Sequence, residues 1–427
     1  MSTTAELTAS ERAALGAVDP SAIVRDLAAL IAIPSVGGTS EESEIQHQLA
    51  RAVSDLDLDV DLWAMDMAAL TGSEGYPGME APRSEGWGLV GTTAGEAPQP
   101  RLILQGHVDV VPSGALQEWE HEPFTPVVTA DRVHGRGACD MKAGVVANLA
   151  AVAAIRRAGI RLRDPLALHF VIGEEDGGIG AYGTLARGHT GDACLITEPT
   201  SGTLTVANAG ALTFSITVRG RATHASTAYE GSSAIDSYVA IHHGLARLQE
   251  RRNQEVDALM REYPVAYPIS VGILRAGDWA SSVPDVLVAE GRLGVALDED
   301  PQDARRELEA HVAAVAAADP YLRDHPPLIE WTGGQFASGR SSATPALADT
   351  IRAAHADITG RDRPRDRGAP YGSDLRLYEG AGIPTLHYGP GDVRLAHSPQ
   401  ESVSIEECVA VTRALVLTVL RTCGTAD

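Results

Sequence analysis

The alternation of apolar and polar residues divides the chain into three successive regions. In the first region, the apolar runs "RLILQGHV", "LALHFVI" and "ACLIT" have the length and composition of buried strands. Between them lie segments with helical spacing of apolar residues, among them "SAIVRDLAALIAI" and "MKAGVVANLAAVAAIRRAG". This alternation predicts an α/β domain in which a mostly parallel sheet is covered by helices on both faces.

The pattern changes after about Ala211. "LTFSITVRG" alternates as a half-buried strand does, and the segments up to "PLIEW" then follow the order helix, strand, strand, helix, strand. The order β-α-β-β-α-β is typical of a ferredoxin-like α+β sandwich. After "TGGQFASGRSS" the segments of the first type return. We therefore predict one domain formed by residues 1–211 and 336–427, interrupted by a second domain of residues 212–335.

The length and the net charge of the chain limit the number of domains and the kinds of partner to be expected. A chain of 427 residues has room for two cores, and 34 Lys and Arg against 57 Asp and Glu give a net charge of −23. So negative a chain is expected to bind neither nucleic acid nor an anionic membrane as its main partner. The first twenty residues lack the apolar core of a signal peptide, and no apolar stretch looks long and uncharged enough to span a bilayer. We expect a cytoplasmic protein.

Histidine and carboxylate side chains follow several predicted strands, where α/β proteins commonly place their chemistry. Each has a simple structural explanation when taken alone, such as a helix cap or a solvated turn. Together, two histidines and three carboxylates at consecutive strand ends suit two ions of zinc or a similar divalent metal. Two cations would also offset the repulsion between neighbouring acids in "VIGEEDGGIG". The candidate residues at these strand ends, counting both the ligands and the acids beside them, are His107, Asp109, Asp140, Glu174, Glu175, Glu198 and His397.

Two other classes of site find less support in the sequence. "GRGACD" has two glycines of a dinucleotide-binding fingerprint, but Asp140 stands where the third would be and would repel a pyrophosphate. "GSSA" and "GSDL" lack the context of a serine nucleophile elbow. Nucleotide binding and serine hydrolysis are therefore weak alternatives.

Seven motifs resemble, in order, those of the dinuclear zinc aminoacylases, a family that includes acetylornithine deacetylase, succinyl-diaminopimelate desuccinylase and carboxypeptidase G-type enzymes. The resemblance covers nearly the whole chain. It implies a zinc-peptidase-like catalytic domain interrupted by a lid that also serves as a dimerisation domain, and hence a homodimer. The motifs are "GHVDVVP", "WEHEPFTP", "GRGACDMKAG", "GEEDGGIG", "TEPT", "GRATHAS" and "YGPGDVRLAHSPQESV".

The resemblance also implies roles for the candidate residues. Asp109 would accept a hydrogen bond from the far nitrogen of the first histidine ligand. Glu174 would take a proton from a hydroxide-forming water shared by two ions and deliver it to the leaving amine. Zinc is expected, and cobalt or manganese would also suit the ligands. The implied ligands are His107 and Glu198 for one ion, Glu175 and His397 for the other, and Asp140 as the bridge.

Four further residues match positions near the substrate in the family. His224 would reach across a dimer interface to donate to the tetrahedral oxyanion, although a plain surface histidine is the alternative. Arg292 would pair with a substrate carboxylate, or else be a salt-bridged strand residue. Ser282 stands where many relatives have Asn, and Gly389 lies in a loop where backbone amides would approach the ligand.

These observations predict a metal-dependent hydrolase that removes the acyl group from an N-acylated amino acid or a related small amine. A metallo-dipeptidase or carboxypeptidase acting on small peptides is the alternative within the same chemistry. A non-catalytic relic of the fold is a third possibility. The presence of Glu174 and of all five implied ligands speaks against the relic. No chemical role is assigned to Asp176, and we expect it to brace the turn that carries Glu174 and Glu175.

Overall fold

The computed structural model describes residues 6–426, which form three sheets and the helices that cover them. The helices are α1 (Ala9–Gly16), α2 (Pro20–Ile31), α3 (Glu41–Asp55), α4 (Met67–Thr71), α5 (Ala143–Arg157), α6 (Ile179–Ala186), α7 (Ala234–Arg252), α8 (Pro301–Ala318), α9 (Pro345–Thr359), α10 (Leu375–Gly380) and α11 (Ile405–Cys423). The strands are β1 (Asp59–Ala64), β2 (Trp87–Thr92), β3 (Leu102–His107), β4 (Val127–Val128), β5 (Arg132–His134), β6 (Leu166–Val171), β7 (Cys194–Ile196), β8 (Leu204–Asn208), β9 (Gly210–Arg219), β10 (Ile269–Ala276), β11 (Val286–Val295), β12 (Leu328–Phe336), β13 (Gly339–Arg340), β14 (Asp366–Ala369), β15 (Thr385–His387) and β16 (Ser402–Ser404).

The largest sheet has nine strands and is mixed. Its order is β1-β2-β6-β3-β7-β15-β8-β13, and β14 also pairs with β8. The four central strands β6, β3, β7 and β15 are parallel to one another, as predicted, and β14 runs parallel to β8. The remaining pairs are antiparallel, so the expectation of a mostly parallel sheet holds only for the centre. The central strands are buried throughout, whereas β1 at the edge is only half-buried, as antiparallel edges tolerate.

The alternation along the central strands separates two apolar layers. Leu102 and Leu104 of β3 pack into the core beneath α2, α3, α5 and α11, while Ile103 packs into a second core against α6 and α10. The sheet is therefore covered on both faces, as the alternation of strand and helix segments predicts. A small third sheet, β16-β5-β4, lies beside the site described below.

One helical stretch corrects the membrane expectation. Residues 138–157, which include α5, are long and apolar enough to cross a membrane by length and composition. However, 78 % of the most apolar part of this stretch is buried inside the protein. The run is apolar on all sides because it packs between the sheet and α11, which is the pattern of a central core helix.

The inserted segment forms an antiparallel sheet in the order β10-β11-β9-β12, with α7 and α8 packed on it. Element order and pairing are those of a ferredoxin-like sandwich, which confirms the fold expected for this part of the chain. We call the segment from β9 to β12 the lid. The domain boundaries predicted from the sequence fall inside β9 and β12 and remain a prediction.

Candidate metal centre and active site

Four neighbouring parallel strands bring the candidate residues to one edge of the central sheet. β3 ends at His107, β6 ends shortly before Glu174, and β7 ends shortly before Glu198. The loop that follows β15 carries His397. Because the carboxyl ends of adjacent parallel strands face the same way, residues far apart in sequence meet there.

His107 lies at the centre of this cluster and is 1 % exposed. Its Nε2 is 3.1 Å from Asp140 Oδ1 and 3.6 Å from Glu198 Oε1. Asp140 reaches this point from an irregular turn, Ala138–Lys142, that leads into α5. A histidine nitrogen and two carboxylate oxygens thus point at a common centre, which is the arrangement of a metal site.

His397 makes a second group on the other side of Asp140. Its Nε2 is 3.0 Å from Glu175 Oε1 and 3.7 Å from Asp140 Oδ2. The two oxygens of Asp140 therefore face different histidines, as a bridging carboxylate requires. His397 has a φ of 59°, a left-handed conformation that costs a non-glycine residue roughly 1–2 kcal/mol. Such strain is typical of functional positions.

Bound cations would stabilise the charges of this cluster. Burial, reinforced by Glu198, raises the pKa of Glu174 well above its ordinary value, and burial does the same for Glu198. Although burial opposes the charged form of His107, Glu198 and Asp140 together raise its pKa. Glu175 raises the pKa of His397 to about 9. Several buried acids that repel one another are stabilised when divalent ions bind among them.

The donor set fits two divalent ions. Ligand atoms of His107, Asp140 and Glu175 all lie within 4.8 Å of one another, and so do those of His107, Glu174 and Glu198. Within residues 6–426, these are the clusters of histidine, cysteine and acidic residues close enough to hold a metal. Oxygen and imidazole donors suit zinc, cobalt or manganese.

Asp109 contacts His107 differently from the prediction. The carbonyl oxygen of Asp109 lies 3.0 Å from His107 Nδ1, whereas the Asp109 carboxylate is 3.6 Å away. That carboxylate instead accepts hydrogen bonds from the backbone amides of Glu174 and Glu175, each at 3.1 Å. Asp109 therefore orients the histidine through its main chain and the two glutamates through its side chain.

Two buried acids, Glu401 and Asp176, hold the turns that carry residues of the site. Glu401 was not predicted from the sequence. Glu401, which follows His397 in "AHSPQE", accepts hydrogen bonds from the amides of Cys139 and Asp140 and pairs with Arg136 at 2.6 Å. Its carboxylate thereby holds the turn that presents Asp140. The sequence signal for Glu401 is its position in the same motif as His397.

Asp176 does brace the turn of the paired glutamates, as expected, and its partner is now visible. Arg83 donates to Asp176 Oδ2 at 2.7 Å and to Glu42 at 2.8 Å. Asp176 also accepts from the amide of Ala81 at 2.9 Å. This buried chain of charges ties the turn to α3 and to the glycine- and proline-rich segment that precedes β2.

The cluster opens into a cavity of about 240 Å³. Arg292 of the lid lines this cavity together with Phe336, Tyr371 and the acids of the cluster. Arg292 is thus the one predicted substrate residue that lines this cavity. Its guanidinium carbon is 5.5 Å from the centre of the Phe336 ring.

Three of the predicted substrate residues do not line this cavity. His224 is exposed on the lid, where its Nδ1 lies 2.7 Å from Ser226 Oγ, and its backbone pairs with that of Ser282. Gly389 is buried, and its amide donates to Thr200 Oγ1 at 3.2 Å. That amide is engaged within the protein and supports the segment after Glu198, whereas the sequence predicts that it approaches a ligand.

The comparisons with known proteins agree with this geometry. The sequence pattern of "Peptidase family M20/M25/M40" matches residues 103–421. The chain belongs to this family. A curated relative from Bacillus subtilis (strain 168), N-formyl-4-amino-5-aminomethyl-2-methylpyrimidine deformylase, is 30 % identical over 406 residues that cover 89 % of each chain.

Two further likenesses have weaker sequence identity. Succinyl-diaminopimelate desuccinylase from Leptothrix cholodnii is 29 % identical over 276 residues, which cover 61 % of this chain and 67 % of the relative. The structure of human carnosine dipeptidase 1 superposes with a TM-score of 0.77 at 14 % identity, over 98 % of this chain and 100 % of that chain. The M20 chain described here is therefore a metallo-hydrolase with the α/β fold and the lid of this family.

Proposed function

We propose that this M20 chain is a two-metal deacylase that hydrolyses the amide bond of a small N-acylated amine. The observation that carries the proposal is the convergence of His107, Asp140, Glu175, Glu198 and His397 beside the buried Glu174, at the mouth of a small cavity. The proposed base and a full set of candidate ligands lie together within one chain. A non-catalytic relic would have no need of them.

The ligand pairs follow from the distances. His107 and Glu198 would hold one ion, His397 and Glu175 the other, and Asp140 would contact both. When bound, such ions polarise a carbonyl and lower the pKa of water, so that an amide can be attacked near neutral pH. We propose zinc as the native metal.

Glu174 would do the proton transfer. It is 6 % exposed and does not pair with either histidine as closely as Asp140 and Glu175 do, so its carboxylate is available to the reactants. It would accept the proton of the attacking water and then donate it to the nitrogen of the departing amine. Its backbone amide is held by Asp109, which keeps the carboxylate aimed at the cavity.

The cavity indicates a small substrate. Its volume of about 240 Å³ accommodates a short acyl group more readily than a peptide, and Arg292 offers a cation beside Phe336 and Tyr371. The similarity to a deformylase along 89 % of both chains favours an N-formyl amine carrying a small aromatic ring. An N-succinyl or N-acetyl amino acid, whose carboxylate would pair with Arg292, is the nearest competitor.

A substrate panel tests these choices. The metal-loaded protein would be assayed with an N-formyl aminomethylpyrimidine, N-acetyl-ornithine, N-succinyl-diaminopimelate and a set of dipeptides, with metal content measured on the same sample. We expect the highest kcat/KM for an N-acyl amine. Preference for a dipeptide would replace the deacylase by a dipeptidase, the activity named for the human structural neighbour.

We also propose that the protein is a homodimer joined through the lid. β10 is an edge strand, and its Ile273 and Leu274 are 43 % and 54 % exposed. Trp279 and Tyr229 on the same domain are 72 % and 81 % exposed. An exposed edge strand with large apolar side chains is a surface that a second copy can cover by pairing strand to strand. Light scattering of the purified protein tests this, and a monomeric mass would contradict it.

A further inference from the structure

Arg376, at the start of α10, is a partly buried arginine that the chemistry described above does not use. Its Nη1 donates to the carbonyl of Ser373 at 2.7 Å, and its Nη2 donates to the carbonyl of Gly177 at 2.6 Å. Within residues 6–426 it forms no ion pair with a carboxylate. Burial lowers the pKa of Arg376 to about 10, which shows how unfavourable this position is for a charge.

The carbonyl of Gly177 belongs to the turn that carries Glu174 and Glu175. The turn is packed tightly on its outer side, because a Cβ at Gly177 would lie 2.2 Å from the carbonyl oxygen of Gly78. Arg376 holds the turn from the opposite end. Asp109 therefore holds the amides of the two glutamates, and the guanidinium group of Arg376 holds the backbone of the same turn two residues further along.

The other contact of Arg376 is with the lid. Its guanidinium carbon is 4.1 Å from the centre of the Phe336 ring, and Phe336 is the last residue of β12, the strand by which the chain returns from the lid. Gly372 packs on the same ring, where a Cβ would lie 2.6 Å away. Phe336 also lines the cavity, so the position of this ring affects both the lid and the site.

The return strand and the turn are in direct contact as well. A Cβ at Gly334 of β12 would lie 2.8 Å from the carbonyl oxygen of Asp176. A movement of the lid that displaced β12 would therefore displace the turn unless another group held it. The side chain of Arg376 contacts both the turn and the return strand.

We propose that Arg376 is a positioning residue that couples the end of the lid strand β12 to the turn carrying Glu174. This rests on the proposed function, in which Glu174 is the base. The planar fork of arginine donates to two carbonyls in its plane while its face lies on an aromatic ring, which the single ammonium group of lysine does not do. A brace that only stabilised the fold would leave turnover unchanged in the folded protein.

The test is Arg376→Lys, with the best substrate of the panel and metal content measured in parallel. A base displaced by about 1 Å can lower turnover by up to roughly a hundredfold, so we expect kcat to fall by about ten- to a hundredfold. KM and metal content should stay near those of the wild type. Arg187→Lys is the matched control, because Arg187 also lies over a ring, Trp63 at 4.6 Å, but on the surface and away from the cavity.

Phe336→Leu tests the coupling to the lid. If Arg376 acts through this contact, the double variant should be no slower than the slower single variant, whereas independent effects would multiply. Unchanged kcat in Arg376→Lys, multiplied losses in the double variant, or loss of metal from Arg376→Lys would each overturn the proposal.

Hydrogen exchange gives a readout that does not need activity. Peptides spanning 173–178 and 333–336 should exchange faster in Arg376→Lys than in the wild type, and equally in Arg187→Lys. If the wild type hydrolyses no member of the panel while these peptides respond as stated, the proposed function fails and the coupling stands. Unaltered exchange at both peptides would refute the coupling itself.

Discussion

The strand-end cluster and the tip of the lid contrast within one molecule. At the strand ends, His107, Asp140 and Glu198 are enclosed, with 3.1–3.6 Å between the histidine nitrogen and the acids. On the lid, His224 is exposed, and its Nδ1 lies 2.7 Å from Oγ of the neighbouring Ser226. Both regions carry residues of the same implied mechanism, yet only the first is assembled within one chain.

The two regions are assembled in different ways. Adjacent parallel strands place their carboxyl ends together as a direct consequence of pairing, so the ligands meet without any further contact. A residue on the lid depends on where a whole domain lies and, if the dimer forms as proposed, on a second chain. The cluster should therefore bind metal in any oligomeric state, whereas the lid should affect turnover alone.

Glu174→Gln should have the largest effect and would sharpen the contrast most. Loss of the carboxylate base should lower kcat by about 10²–10⁴-fold, because glutamine cannot accept the proton. Metal content should remain that of the wild type, since His107, Asp140 and Glu198 are unaltered. Substantial residual activity would show that another group is the base and that the strand-end cluster is not complete in itself.

His224→Ala tests the other region. Loss of an oxyanion donor costs about 10²–10³-fold in kcat, and metal content should not change. Mixed dimers of His224→Ala with Glu174→Gln should recover part of the activity, because one site would combine an intact base with a histidine from the partner subunit. Absence of recovery in verified mixed dimers would remove the contrast, since His224 would then act within its own chain or not at all.

The same contrast marks what could be predicted from the sequence. The apolar runs predicted the central strands. The acids and histidines that follow these strands converge in the structure because parallel pairing places the carboxyl ends of the strands side by side. The lid fold also followed from the order of its segments. Each of these depends on local pattern and on simple rules of strand pairing.

Other features depend on contacts that a pattern does not contain. The chain turns after His107, so the carboxylate of Asp109 meets the amides of Glu174 and Glu175 instead of the ring. The partner of Asp176 is Arg83, in a segment without periodicity. The amide of Gly389 is engaged by Thr200. Such pairings are decided by the packed structure.

His397→Ala should have a smaller effect and would test how evenly the cluster holds its metals. Its imidazole is the more exposed of the two, and Glu175 and Asp140 remain as donors. We expect one of the two ions to bind at least about tenfold more weakly, measured by titration with a chelator, and the other to be retained. Unchanged binding of both ions would remove His397 from the ligand set.

Acid should destabilise the sheet that carries the cluster before it destabilises the lid, and near neutral pH this is the smallest of the expected effects. His169 of β6 and His387 of β15 are 1 % and 0 % exposed, and burial lowers the pKa of each to about 3. Among the described lid residues, 210–336, every histidine is at least partly exposed. The folded sheet therefore keeps two neutral histidines that the unfolded chain protonates below about pH 6.5.

Between pH 6.5 and 3 the unfolded state binds the extra protons, so each of these two histidines lowers the free energy of unfolding by about 1.4 kcal/mol for every unit by which the pH falls. Denaturant unfolding of the metal-free protein measures this slope. His169→Gln should reduce it by one histidine's share, because glutamine does not titrate and can still contact the Tyr378 hydroxyl, now 2.9 Å from His169 Nδ1. The exposed His325→Gln on the lid is the control and should leave the slope unchanged. An equal change of slope in His169→Gln and His325→Gln would show that the sheet is no more sensitive to acid than the lid.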